Sequence, residues 1–359
     1  MDNQDVAMRG ICVVVALLVV GVPASGVAVA DGPGRTFDLQ AHRGGLGIVV
    51  ENTLPAFANA LELGVSTLEL DVQITEDGFA VVTHDRDPSE DKCLDTLPAF
   101  LGDPEFPYVP GEKFIKDLTL AQVRTIDCGS KQLTEFPEQR TAPGARMPLL
   151  SEVFDLVHAY RAEDVRLNVE TKVEADAPEQ TAPQEQFVRT IVDEVRRAGL
   201  TSQVTIQSFA WSSLVLTHEI APELELVALT SGQDVLQEGE PGASPWLGGL
   251  DIDDFSGTTQ QKLVAAAASL GVAAVSPVHG DPQDGAVTDP GYVPFTNADL
   301  VSAAHARGLR VVPWTVDDAD TMAALLDLGV DGIITDRPDI LRGVLSDYGY
   351  QLPKPYRRQ

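Results

Sequence analysis

Basic residues are scarce in this sequence. Its 359 residues include 25 Lys and Arg against 54 Asp and Glu, so the net charge is −29. Proteins that bind nucleic acid need a basic surface for the phosphate backbone, and this balance therefore disfavours nucleic acid as a partner. An anionic substrate must meet a local cation in such a protein, which is an Arg, a Lys or a bound metal ion.

Long apolar stretches are also scarce. The run from Gly10 to Val22 is too short to span a membrane comfortably, and the signal-peptidase pattern Ala28-Val29-Ala30 follows it. We predict a signal peptide over residues 1–30, cleaved near Ala30, and a single mature domain over residues 31–359. The mature chain is expected to be secreted or extracytoplasmic, with no stable membrane span once the signal is removed.

Cysteine is rare, with three residues in the whole chain. Cys12 lies in the predicted signal peptide, which leaves Cys93 and Cys128 in the mature chain. In an oxidising compartment this even pair favours a disulfide, with two separate buried thiols as the alternative. Two thiols with no nearby His make an incomplete zinc site.

Two motifs of common enzyme classes are absent. No G-x-G-x-x-G opens a helix, which weakens the case for a nucleotide-binding open sheet. No G-x-S-x-G turn is present, which argues against a serine hydrolase.

What the sequence does contain is a repeated order of helix, glycine and strand, as in Arg197-Ala198-Gly199-Leu200 before Val204-Thr205-Ile206. The predicted strands are Asp38–His42, Thr67–Val72, Arg166–Thr171, Val204–Ser208, Glu225–Leu229, Ala274–Pro277, Arg310–Thr315 and Gly332–Thr335. Eight strands are the number that closes a barrel, so the predicted fold class is α/β, a TIM-type (β/α)8 barrel. A doubly wound open sheet is the competing architecture.

Two segments interrupt this order. Glu76-Asp77-Gly78 is a tight-turn signal between two alternating runs, so a hairpin is expected to return His84 to the neighbourhood of Glu69 and Asp71. Residues 86–148 are rich in proline, contain both mature cysteines and show little periodicity. We predict that they form an insertion over the barrel mouth, with one short helix at Leu120 to Ile126.

Acidic side chains share one face of two predicted strands. Glu69 and Asp71 point to the same side because strand side chains alternate, and Glu170 and Lys172 do the same on the next strand. Buried carboxylates that face one another need a cation between them. Three hard oxygen donors suit Mg²⁺ or Ca²⁺, with an ion-paired strand end as the alternative.

Two histidines lead to the same barrel mouth. His42 ends the first strand and is followed by Arg43 and two glycines, and Arg43 suits bidentate contact with phosphate. His42 and His84 on either side of a metal-held phosphate would form an acid and a base for displacement at phosphorus. Trp314 ends a later strand and is expected to line the substrate pocket, with a core role as the alternative.

A series of short motifs carries a family resemblance. They are His42-Arg43-Gly44, Glu51-Asn52-Thr53, Glu69-Leu70-Asp71-Val72, Thr75-Glu76-Asp77-Gly78, Val82-Thr83-His84-Asp85, Val169-Glu170-Thr171-Lys172, Gln207-Ser208-Phe209, Trp314-Thr315-Val316 and Thr335-Asp336-Arg337-Pro338. Their order and spacing resemble the glycerophosphodiester phosphodiesterases over nearly the whole mature chain.

The resemblance implies a TIM-type barrel, one divalent metal ion, Ca²⁺ or Mg²⁺, and hydrolysis of small glycerophosphodiesters to glycerol 3-phosphate and an alcohol. The implied roles are metal ligand (Glu69, Asp71, Glu170), acid–base pair (His42, His84) and phosphate contact (Arg43, Lys172). The chain departs from the family pattern at Val50, where Pro is usual, and at Asp317, where Asn is common.

Two other functions compete with this prediction. A phospholipase D-type enzyme acting on lysophospholipids or sphingolipids resembles the family in its early motifs, and exposed aromatics such as Phe106 and Tyr108 would favour it. A non-catalytic protein that binds phosphodiesters is the second alternative. The sequence argues against it, because every proposed catalytic position holds a competent residue.

Overall fold

Parallel strands form the centre of the computed structural model, which describes residues 35–358. The predicted signal peptide and Cys12 lie outside these residues. The strands are β1 (Asp38–Ala41), β2 (Thr67–Ile74), β3 (Ala80–Val82), β4 (Leu94–Asp95), β5 (Ile126–Asp127), β6 (Arg166–Thr171), β7 (Val204–Ser208), β8 (Glu225–Thr230), β9 (Ala274–Pro277), β10 (Gly280–Asp281), β11 (Val293–Pro294), β12 (Arg310–Val311) and β13 (Gly332–Thr335).

Eight of these strands form one parallel sheet that curls into a barrel. Their order is β12-β9-β8-β7-β6-β2-β1-β13. Backbone hydrogen bonds from Ile334 N to Pro313 O (3.0 Å) and from Asp331 N to Val311 O (2.9 Å) bring the two ends of this order together. The barrel is therefore nearly closed, and the predicted TIM-type fold is confirmed.

Helices cover the outside of the barrel. They are α1 (Leu54–Leu63), α2 (Leu120–Val123), α3 (Leu150–Tyr160), α4 (Gln184–Ala198), α5 (Trp211–Ile220), α6 (Gln233–Leu236), α7 (Thr259–Ser269), α8 (Ala298–His305), α9 (Ala319–Leu328) and α10 (Pro338–Asp347). Gly199 and Gly329 end α4 and α9 in the left-handed conformation, with φ of 70° and 85°. These are the glycines that the repeated helix–glycine–strand pattern placed at helix ends. Within residues 35–358, no helix combines the length and the apolar character that a membrane crossing needs.

The alternation of side chains along β2 separates the core from the site. Leu68, Leu70 and Val72 are fully buried in the main hydrophobic cluster, which they share with the inner faces of the surrounding helices. The residues between them, Glu69 and Asp71, face the other way, into the barrel. Packing of the apolar face thus fixes the direction in which the carboxylates point.

A hairpin follows β2. Strand β3 pairs antiparallel with β2, with Val72 opposite Val82, and Thr83 N donates a hydrogen bond to Asp71 O (3.0 Å). The hairpin therefore brings the next residue, His84, back to the carboxyl end of β2.

Two strands are shorter than predicted. β1 ends at Ala41, because His42 begins a tight 3-10 turn over residues 42–44. β12 ends at Val311, whereas the prediction extended it to Thr315. Pro313 has no N–H to continue the ladder, although Trp314 N still donates to Pro277 O (3.1 Å) along the neighbouring strand.

Residues 86–148 form a small packed unit beside the hairpin. Strands β4 and β5 pair antiparallel, and Thr119 caps α2. Helix α2 ends at Val123, earlier than the predicted Ile126, because Ile126 already belongs to β5. The unit has its own apolar cluster, made by Val81, Ile115, Leu118, Val123, Ile126 and Met147.

A disulfide joins Cys93 and Cys128, the two residues expected to pair. They flank β4 and β5, so the bond fastens the ends of these two-residue strands together. It closes a loop with a sequence separation of 35, which the loop-entropy model values at about 3–4 kcal/mol.

Reducing this disulfide is expected to loosen residues 86–148 while the barrel stays folded, because the barrel has a separate and much larger core. Limited proteolysis of oxidised and reduced protein, followed by mass spectrometry, should place the new cleavage sites between residues 86 and 148. Unchanged proteolysis after reduction would show that the local apolar cluster holds the segment without the bond. Two free, alkylatable thiols in the protein isolated under non-reducing conditions would contradict the bond itself.

Candidate active site

Three buried carboxylates meet inside the barrel. Glu69 and Asp71 come from β2 and Glu170 from β6, and Asp71 lies opposite Glu170 in the strand register. One oxygen from each carboxylate lies within 4.8 Å of those of the other two. The three residues are between 1 and 6% exposed.

The pKa values of the three carboxylates are shifted in different directions, two upward and one downward. Burial, with the charges of Asp71 and Glu170, raises the pKa of Glu69 well above its usual range, and burial raises the pKa of Glu170 to about 7. Burial would also raise the pKa of Asp71, but the neighbouring charges of His84, Arg43 and Lys172 hold it well below its usual range. This crowding of negative charge is the condition that a divalent cation with oxygen ligands relieves.

Neighbouring amides hold the carboxylates in place. Gln207 Nε2 donates to Glu69 Oε1 (2.7 Å), and Asn52 Nδ2 donates to Asp71 Oδ2 (2.9 Å). Neither amide was assigned a role from the sequence, although both lie in motifs of the resemblance. The signal for them was their position at strand ends and turns facing β2, which only the closed barrel reveals.

Two cations stand beside the carboxylates. Arg43 lies in the tight turn after β1 with φ of 50°, and its backbone N donates to Glu69 Oε2 (2.8 Å). Its guanidinium lies 3.2 Å from both Asp71 Oδ2 and Glu51 Oε1. Lys172 Nζ lies 2.9 Å from Glu170 Oε1 and 3.8 Å from Asp71 Oδ1. The site thus holds fixed positive charge where an anionic group would enter.

His42 is oriented by a carboxylate that follows β13, the strand that pairs with β1. Its Nδ1 lies 2.6 Å from Asp336 Oδ1, at the end of β13. Asp317, one of the two departures from the family pattern, accepts hydrogen bonds from Asp336 N (2.8 Å) and Thr335 Oγ1 (3.0 Å). Burial, followed by the charge of Arg43, lowers the pKa of His42 to about 3, so its imidazole is neutral near pH 7.

His84 has a similar arrangement. Its Nδ1 lies 2.8 Å from Asp85 Oδ1, and Lys92 Nζ lies 2.9 Å from the other oxygen of Asp85. Burial, followed by the charges of Arg43 and Lys172, lowers the pKa of His84 to about 4. Both imidazoles are close enough to Asp71 for their charges to lower its pKa. The structure therefore brings His42, His84 and the three carboxylates to one place.

Trp314 packs against an aromatic residue of the cavity wall. Its indole Nε1 donates to Ser276 O (3.0 Å), and its ring packs edge-on against Phe209 with 5.3 Å between centroids. Phe209 lines the cavity described below. His279 is buried, with its ring nitrogens 2.7 Å from Tyr292 Oη and from Gln283 O, and it holds a loop.

A cavity of about 820 Å³ opens beside the cluster. His84, Glu170 and Lys172 line it. The remaining wall consists of residues after β3, β6, β7 and β8, namely Asp85, Arg86, Asp87, Ser89, Glu90, Lys92, Pro110, Val173, Glu174, Asp176, Thr181, Phe209, Ser231, Asp234, Val235 and Trp246, with Gln73 from β2. The cavity thus lies at the carboxyl ends of the strands, where barrel enzymes bind their substrates.

Comparison with known proteins relates this chain to one enzyme family. Residues 42–340 match the model of the glycerophosphoryl diester phosphodiesterase family. A glycerophosphodiester phosphodiesterase of Caldanaerobacter subterraneus is 30% identical over 309 residues, which cover 86% of this chain and 98% of the relative.

Solved structures agree on the fold. A putative glycerophosphoryl diester phosphodiesterase from Silicibacter pomeroyi has a TM-score of 0.70 and 27% identity, and the match covers 89% of this chain and 96% of that one. An Oleispira antarctica phosphodiesterase in complex with the product sn-glycerol-3-phosphate has a TM-score of 0.60 and 19% identity, over 86% and 96% of the two chains. The chain therefore belongs to the glycerophosphoryl diester phosphodiesterase family and is a phosphoric diester hydrolase.

Proposed function

We propose that the protein uses one bound divalent metal ion and two histidines to hydrolyse glycerophosphodiesters to glycerol 3-phosphate and an alcohol. The observation that carries this proposal is the meeting of Glu69, Asp71 and Glu170 within 4.8 Å, beside two buried imidazoles. The solved relative that holds sn-glycerol-3-phosphate supports the same reaction.

The donor set fits a hard divalent cation. Glu69, Asp71 and Glu170 offer only carboxylate oxygens, which suit Mg²⁺ or Ca²⁺, and they would hold the ion in the barrel mouth. When bound, such an ion supplies positive charge that stabilises the phosphoryl oxygens in the transition state.

The cations of the chain bind and orient the phosphodiester. Lys172 lines the cavity and offers a compact charge, and the Arg43 guanidinium is held rigidly by Glu51 and Asp71. Both would contact phosphate oxygens beside the carboxylates. Trp314 would act on substrate through Phe209, by keeping that ring against the cavity.

The histidines move the protons. His42 carries a neutral imidazole whose Nδ1 is bound to Asp336, which leaves Nε2 to accept a proton from the water that attacks phosphorus as the new P–O bond forms. His84 lines the cavity, where the alcohol extends from phosphorus, and it would donate a proton to the leaving oxygen as the old P–O bond breaks. Burial lowers the pKa of His84 in the free site to about 4, and the negative charge of a bound diester favours its protonated form.

We also propose the domain organisation and location that the sequence suggested. Residues 31–359 would be one phosphodiesterase domain with an insertion at 86–148, and residues 1–30 a signal peptide. The disulfide between Cys93 and Cys128 is compatible with a secreted or extracytoplasmic protein.

Release of glycerol 3-phosphate from glycerophosphocholine tests the proposed function. We expect turnover with Mg²⁺ or Ca²⁺ and loss of activity in a chelator, restored when the metal is returned. Lysophosphatidylcholine and sphingomyelin in parallel assays test the phospholipase D alternative. Faster turnover of either lipid, or full activity in the chelator, would contradict the proposal.

A further inference from the structure

The wall of the cavity carries more negative than positive charge. Its three basic side chains are each ion-paired: Arg86 with Glu174, Lys92 with Asp85 and Glu51, and Lys172 with Glu170. Four other carboxylates on the same wall have no ion-pair partner among residues 35–358, namely Asp87, Glu90, Asp176 and Asp234. A substrate that brings no positive charge leaves this surplus uncompensated.

Two aromatic side chains face the same space. Phe209 and Trp246 both line the cavity, and Trp246 Nε1 donates a hydrogen bond to Asp176 Oδ2 (2.8 Å). This bond holds the indole beside a carboxylate that has no basic partner in the described part of the chain. Lys172 Nζ already lies 5.8 Å from the centroid of the Phe209 ring, so the inner part of the cavity shows the same pairing of cation and ring. Aromatic faces beside carboxylates are the surroundings that ammonium groups favour.

The position of these residues relative to the reacting centre defines what they can touch. His84, Glu170 and Lys172 line the same cavity as Trp246 and Asp176, so a phosphodiester held by the first three has Trp246 and Asp176 within the space that one of its two alcohols can enter. Since His84 faces this space, the alcohol there is the leaving group in the mechanism proposed above.

We propose that Trp246, Asp176 and Phe209 form a subsite for the leaving alcohol that selects alcohols bearing an ammonium group. This inference rests on the proposed function and specifies its substrate class. A quaternary or primary ammonium gains from both the ring faces and the unpaired carboxylates, whereas a neutral alcohol gains from neither. A second anionic group on the alcohol is repelled by Asp87, Glu90 and Asp234.

Steady-state kinetics on matched diesters test the subsite. We expect kcat/KM for glycerophosphocholine and glycerophosphoethanolamine to exceed that for glycerophosphoglycerol by about tenfold, a size in keeping with a desolvated cation–π contact. Trp246→Leu and Asp176→Asn should each bring the ratio of kcat/KM between the ammonium-bearing and the neutral alcohols close to one. Asp176→Asn keeps an oxygen that accepts the Trp246 hydrogen bond, so it removes charge without removing the contact.

A matched control and a second readout keep the test specific. Asp193→Asn changes the same charge on the exposed face of α4, away from the cavity, and should leave the preference intact. Choline should inhibit glycerophosphoglycerol turnover more strongly than its neutral isostere 3,3-dimethylbutanol, and Trp246→Leu should abolish the difference.

The outcomes separate this inference from the proposed function. Equal kcat/KM on charged and neutral alcohols in the unaltered enzyme would overturn the subsite and leave the phosphodiesterase function standing. Absence of turnover on every glycerophosphodiester, with metal supplied, would overturn the proposed function itself. A preference that survives both Trp246→Leu and Asp176→Asn would overturn the assignment to these residues.

Discussion

Replacing Glu69 with Gln is expected to lower kcat/KM on glycerophosphodiesters by roughly 100-fold or more, because the change removes one of three charged ligands. Gln has nearly the same shape and keeps one acceptor oxygen, so the site retains its packing at the centre of the barrel. The loss should therefore appear in metal binding and catalysis and not in folding.

Two measurements separate these effects. Isothermal titration with Mg²⁺ or Ca²⁺ should give a weaker dissociation constant for Glu69→Gln than for the unaltered protein. The rise in melting temperature on adding metal should shrink as well, since a ligand stabilises the folded state according to its affinity for it. Asp193→Asn, which removes an acidic charge from an exposed surface, is the control for both.

An unchanged Glu69→Gln variant would contradict the proposed metal site. If Glu69→Gln kept full activity and an unchanged metal affinity, the three carboxylates would be an ion-paired strand end that Arg43 and Lys172 neutralise. The distances of 2.9 to 3.8 Å between these cations and Asp71 or Glu170 make that alternative concrete.

The carboxylate cluster was predictable from local sequence because two short-range rules suffice. Alternation along β2 places Glu69 and Asp71 on one face and the apolar Leu68 and Leu70 on the other. Because the leucines pack against the helices, the carboxylates face the inside of the barrel. The neighbouring strand then supplies Glu170 at the same height. The tight turn before β3 likewise predicted that His84 returns to this end.

The supporting contacts depend on closure of the barrel and were not predictable from local sequence. Gln207 reaches Glu69 across 138 residues of sequence, and Asp336 reaches His42 across 294. The hydrophobic pattern within one segment does not indicate which strand lies beside another that is so far away in sequence. Asp336 was visible only as part of a motif, and the pairing of β13 with β1 gives it a physical role beside His42.

The residues of the cavity wall were the hardest to predict from the sequence. Trp246 lies in the loop region after β8, in a short 3-10 turn, where no hydrophobic pattern marks a residue as facing a substrate. Its significance comes from its hydrogen bond to Asp176, which lies 70 residues earlier. Loops at the carboxyl ends of barrel strands vary independently of the core, so a residue's place in the cavity follows from the fold and not from its neighbours in sequence.

Replacing His84 with Ala is expected to lower turnover of glycerophosphocholine by about 10²–10⁴-fold, the usual contribution of a general acid. The loss should be much smaller on glycerol 3-phosphate p-nitrophenyl ester, because p-nitrophenolate leaves without being protonated. His84 lines the cavity where the leaving alcohol is proposed to lie, whereas His42 lies against Asp336 and is not part of that lining. His42→Ala should therefore reduce the rate on both substrates alike, since the attacking water must lose its proton in either case.

The pair of variants tests the assignment of roles as well as the involvement of histidine. His218→Ala, at an exposed position on α5, is the control for removing an imidazole and should leave both rates unchanged. Equal losses on both substrates for His84→Ala would remove the acid role from that residue. Recovery on the p-nitrophenyl ester by His42→Ala instead would reverse the two assignments and place the leaving alcohol on the Asp336 side of the cluster. The ammonium-selective wall of Trp246 and Asp176 would then face the glycerol moiety, so this experiment fixes the direction in which the diester lies in the barrel.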